Sequence, residues 1–126
     1  MGNFKDLNVW QCGMSFATAV YAFVKKLPAD EKIGLIDQIR RATFSIPSNI
    51  VEGSGRNSSK EFRHFLSIAI GSLAELETQL LLCCSVGYYI TEDLNNILAQ
   101  IDELRNRLYA FLKRLSSDIQ QTTANN

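Results

Sequence analysis

The chain has 126 residues, 46% of them hydrophobic and 21% charged, with thirteen basic residues balanced by thirteen acidic ones. That length suits one domain with one core, and seven glycines with two prolines leave little room for a turn-rich sheet. The neutral total excludes a histone-like polycation but hides a skew: residues 1–63 hold nine Lys/Arg against six Asp/Glu, and residues 64–126 hold four against seven. Neither a basic leader followed by an apolar stretch nor a run approaching ~18 apolar residues is visible, so a cytoplasmic protein without membrane contact is expected.

The first element is expected over about 7–27. Trp10, Met14, Ala17, Tyr21, Val24 and Leu27 recur at helical spacing, with Trp10 as a core anchor and Asp6 or Asn8 as the cap. Lys25, Lys26 and Pro28 suit its end. A second helix is expected over about 31–53, capped by Asp30, with Leu35, Ile39, Ala42, Ile46 and Ile50 as its stripe. Pro47 falls within that stripe and predicts a kink, because proline lacks an N–H and its ring crowds the carbonyl of Thr43. Gly53 and Gly55 are expected to end the helix through positive φ.

Ser58 followed by Glu61 reads as a capping box, starting a third helix over about 58–87. Phe62, Phe65 or Leu66, Ala69, Leu73, Leu76, Leu80 and Cys83 or Cys84 form one stripe, while Ile68, Ile70, Leu81 and Leu82 form another. Two stripes fit either a central helix or a helix shared between the core and an oligomer interface. Thr91 caps a fourth helix over about 91–116, whose Arg105, Arg107, Lys113 and Arg114 read as a solvated face; 117–126 reads as a frayed tail. The expected fold is all-α, an antiparallel up-down four-helix bundle.

No catalytic constellation emerges. The single histidine, His64, has no nucleophile or acid beside it beyond the spacing pair with Glu61, and no second histidine exists to complete a di-metal set. Cys12, Cys83 and Cys84 lack metal or redox spacing and read as packing residues. No metal, cofactor or catalytic residue is expected. The stretch Gly53–Lys60 lacks the order of a phosphate loop. The segment 38–65 nonetheless concentrates cations, and Arg40, Arg56, Lys60 and Arg63 are the candidate contacts to a nucleic-acid backbone. The bland alternative is that these cations are simply solvated. Arg41, Asn49, Glu52 and Glu75 are expected to form an inter-helix polar network, so that Glu52→Ala costs about 1–3 kcal/mol.

Several blocks are distinctive together: Asp6-Leu7 with Val9-Trp10-Gln11, Gln38 to Ala42, Ser45-Ile46-Pro47 with Asn49-Ile50 and Glu52-Gly53, Gly55-Arg56, and Glu61-Phe62 through Glu75-Leu76. They resemble the bacterial four-helix-bundle family encoded within intervening sequences of 23S ribosomal RNA genes, over about residues 4–115. The resemblance implies a bundle that assembles into a ring-shaped homopentamer without enzymatic activity. The chain is also similar to the accessory variability protein of diversity-generating retroelements, which implies RNA or a nucleic-acid-processing protein as partner. A scaffold that touches only protein is the competing expectation.

Overall fold

The computed structural model describes residues 3–125, with side chains described through residue 117. It contains four long helices: α1 (Asn8–Phe23), α2 (Asp37–Ser54), α3 (Ser59–Ser85) and α4 (Thr91–Asn125). Single-turn 3-10 segments at Phe4–Asp6, Val24–Lys26 and Ala29–Glu31 and a π-helical turn at Lys32–Ile36 complete the path, and no strand occurs among the described residues. Neighbours in sequence are neighbours in space: α2 packs on α1 and α3, α4 packs on α3, and α1 meets α4.

The stripe on α3 is buried as its spacing predicts, with Leu66, Ala69, Leu73, Leu76 and Leu80 sealed from solvent. Opposite them lie Ile39, Ile46 and Ile50 of α2 and Leu94, Ile101 and Leu108 of α4. Most of the second α3 stripe stays outside this core: Ile68, Leu81 and Leu82 are exposed, while half-buried Ile70 packs against it.

α1 departs from its expected phase. Its buried face is Val9, Gly13, Phe16 and Val20, one position before the predicted Trp10, Met14, Ala17 and Tyr21, so Met14 and Tyr21 reach solvent, while Val24 and Leu27 just beyond α1 are buried as predicted. Trp10 is half-buried, packing against the edge of the core on one side and edge-on against Phe4 at 5.2 Å on the other. The cap expected from Asp6 or Asn8 is absent: Leu7 precedes the helix with no side-chain hydrogen bond. Asp30 likewise gives α2 no cap, because 3-10 and π-helical turns lead into that helix.

α2 runs unbroken through Pro47. Thr43, whose carbonyl Pro47 cannot serve as donor, is fully buried and donates its Oγ1 to the Ile39 carbonyl at 2.6 Å. Neither Gly53 nor Gly55 has positive φ; Gly55 sits at φ −86, and positive φ belongs to Gly87 at the end of α3. There Gly87 N–H donates to Cys84 and Tyr88 N–H to Cys83, the double bond of a Schellman turn. At the start of α4 it is Asp93, not Thr91, that reaches back, accepting from the Ile90 N–H at 3.0 Å. The helix then continues to Asn125, past the frayed tail expected from residue 117, since no glycine or proline interrupts it and Ser116 and Ser117 bond back to the carbonyls four residues earlier.

Candidate functional site

The α2–α3 junction is built by close approach. A β-carbon on Gly53 would lie 2.7 Å from Cδ1 of Phe62 and 2.9 Å from Cβ of Phe65, so only glycine lets α2 end against the first turn of α3. Ser58 then caps α3, its Oγ accepting from the Glu61 N–H at 3.1 Å. The helix start faces solvent, with Asn57, Ser58 and Lys60 all exposed.

Around this turn the cations differ in kind. Arg56 is paired with Glu52 one turn back, and its guanidinium lies 4.7 Å above the ring of Phe65. Lys60 extends into water. Arg63 is half-buried, and its Nε has no partner among the described residues. These three residues share one end of the molecule. Arg40 does not join them: it lies fourteen residues before the end of α2 at Ser54, about 21 Å along the axis, with its guanidinium 5.5 Å above Tyr21 of α1.

The expected network of Arg41, Asn49, Glu52 and Glu75 is not an inter-helix network within the chain. Asn49 alone fits, donating to the Ser45 carbonyl at 2.7 Å and to Ser45 Oγ at 2.9 Å. Ser45 Oγ in turn meets Ser72 Oγ of α3 at 2.8 Å. Arg41 is 69% exposed and pairs with Asp37 of its own helix, Glu52 pairs with Arg56, and exposed Glu75 meets only Gln79 one turn on. A row with a step of four drifts about 40° per step on a 3.6-residue helix, which carries Arg41 out of the face that Ser45 and Asn49 share.

Two cross-helix links come instead from residues expected in solvent. Arg105 of α4 donates to Glu77 of α3 at 2.5 Å and to Asp102 at 3.1 Å. Arg107 donates to Asn8 of α1 and, at 2.9 Å, to Glu103, a bond that raises its own pKa. Glu77 and Arg105 could have been suspected from their places beside Leu76 and Leu104 in the buried stripes.

The thiols carry no metal geometry. Cys83 is buried, and desolvation, then the neighbouring Cys84, push its pKa to about 11. Among the described residues no group of three His, Cys, Asp or Glu could hold a metal ion, and exposed His64 meets only the edge of Phe65 at 5.4 Å. At the same end as the α2–α3 turn, a groove of about 960 Å³ runs along α4 beside Phe62 and Phe111, with Arg107, Lys113 and Arg114 in its walls.

The sequence profile of the 23S rRNA-intervening sequence protein matches residues 5–110. The chain belongs to that family. A solved structure of a protein of unknown function from the S23 ribosomal protein family of Bacteroides thetaiotaomicron is similar to it, with 26% identity and a TM-score of 0.72 over 83% of this chain and 98% of that one. No curated protein matches. The all-α, four-helix architecture of this family member is thus reached from sequence profile and fold alike.

Proposed function

We propose that this chain is a non-enzymatic, self-assembling four-helix bundle of the cytoplasm that contacts RNA through the α2–α3 junction. One observation carries the reading: exposed Arg56 and Lys60 and half-buried Arg63 gather around the start of a 27-residue helix. Backbone N–H groups and the positive end of the helix dipole favour a phosphate there, and the side chains add mobile positive charge. Glu52 competes with such a phosphate for Arg56.

An up-down order of the helices is supported by Phe62, at the start of α3, meeting Phe111 late in α4 at 5.2 Å. A ring of five copies is the assembly that the family resemblance implies. Self-assembly has its own support in the exposed α3 face bearing Ile68 and Leu82, the latter half exposed. That face also favours the second reading, a scaffold that uses its surfaces for protein alone.

Salt-dependent binding of single-stranded RNA separates the two. Neutralised phosphates make log affinity fall linearly with log salt, so Arg56→Ala with Lys60→Ala should flatten the slope by about 1–2. Glu52→Gln, which releases Arg56, should strengthen binding. Absence of binding by the wild type in low salt leaves the scaffold reading standing.

A further inference from the structure

α1 and α4 differ greatly in length, 16 residues against 35, or about 24 Å against about 52 Å. Leu7, extended at φ −73 and ψ 123, stops α1 from continuing beside α4, and the preceding turn folds back so that Phe4 packs on Trp10. Among the described residues, the C-terminal half of α4 therefore has no α1 turn beside it beyond Leu7. The groove lies there.

The α4 wall of this groove is one helical row, Arg107, Ala110, Phe111 and Arg114, at i, i+3, i+4 and i+7. Exposed Ala110 leaves space for close approach, and Val9 and Phe62 form an apolar floor. Lys113 and Arg114 bring positive charge, and no carboxylate lines the groove among the described residues. Arg107 is already held by Asn8 and Glu103, so Lys113 and Arg114 supply the charge for a ligand, with Arg114 seated 5.2 Å above Phe111.

We propose that this groove seats an acidic amphipathic helix of a partner protein, in the position an extended α1 would take. Its apolar residues enter between Phe62 and Phe111 over Ala110, and its carboxylates meet Lys113 and Arg114. The apolar floor of Val9 and Phe62 suits a helix better than a sugar–phosphate strand, whose charges would lie over it. Phe62 brings the start of α3 to this groove, but Arg56, Lys60 and Arg63 do not line it.

The test is fluorescence anisotropy on the full chain with a labelled helix-forming peptide carrying leucines at helical spacing flanked by glutamates. The wild type binds, and Lys113→Glu with Arg114→Glu weakens binding by about tenfold or more. Both residues are exposed, so the thermal transition stays in place. Ala110→Trp blocks the groove sterically and also abolishes binding, whereas Arg56→Ala with Lys60→Ala leaves it unchanged. Absence of binding overturns the proposal. So does equal binding of the same peptide with lysines replacing the glutamates. Displacement by a single-stranded oligoribonucleotide would reassign the groove to nucleic acid, and self-association lost in the Lys113 and Arg114 variant would reassign it to a second copy.

Discussion

Gly53 of α2 and Phe62 of α3 are packed so closely that the ring occupies the place of a β-carbon, 2.7 Å from its ideal position. Helix propensity favours alanine over glycine by about 1 kcal/mol, yet overpacking costs about 1–3 kcal/mol. The second neighbour decides the sign: Phe65 Cβ, at 2.9 Å, is fixed to the backbone and cannot rotate away. Gly53→Ala should therefore destabilise the protein by about 1–2 kcal/mol in urea denaturation. A midpoint equal to or above that of the wild type would contradict this packing.

The Ser45–Ser72 bond at 2.8 Å and exposed Glu52 make opposite predictions for two substitutions. Ser72→Ala should cost about 0.5–1.5 kcal/mol, the net value of a hydrogen bond between half-buried groups. Glu52→Ala should stay within about 0.5 kcal/mol, because a solvent-exposed i,i+4 pair contributes little. Reversal of that order would place Glu52 in a buried contact.

Arg105 and Glu77 form a pair whose side chains are 25% and 30% exposed, linking α4 to α3. A double-mutant cycle with Arg105→Met and Glu77→Gln should give a coupling of about 1 kcal/mol, larger than for the exposed Arg41–Asp37 pair. Raising salt should weaken the exposed pair first.

Alkaline pH should weaken the fold. The Cys83 thiol is raised from 9.0 to about 11, so between these values the native state holds a proton that the unfolded chain has released. Its contribution is complete below pH 9 and is lost as pH rises towards 11. Tyr89, raised above 10.0 by burial, adds to the loss at the upper end, since its hydroxyl donates to the Phe23 carbonyl at 2.6 Å. Denaturation midpoints should fall across this window, more shallowly in Cys83→Ala, and the wild-type thiol should resist alkylation at neutral pH while Cys84 reacts sooner.

The helices were legible because their apolar periods are long. α3 shows this best, since its predicted stripe from Phe62 to Cys83 is the buried one. The phase of the first turns of α1 was not legible, because its buried face includes a glycine while large Met14 and Tyr21 lie outside it. Gly13 sits on the buried face with Ile50 Cδ1 3.6 Å from where its β-carbon would be, yet it adds no hydrophobicity to the pattern. The candidate site was half legible. Ser58 and the glycine-bearing turn marked the place, but spacing alone cannot tell which arginine a carboxylate holds. Arg56 is claimed by Glu52, Arg40 leans on Tyr21, and the groove depends on the distant encounter of Phe62 with Phe111.

The bond from Arg107 to Asn8 spans 99 positions of chain, whereas Ser45–Ser72 and Glu77–Arg105 span 27 and 28. Loop-closure entropy grows only slowly with length, but non-local pairing still waits on the local hairpins that bring it within reach. Each helix can therefore dock on its predecessor as the chain emerges during synthesis. The seam between α1 and α4 closes last, and until it does α1 keeps one flank open to chaperones and proteases.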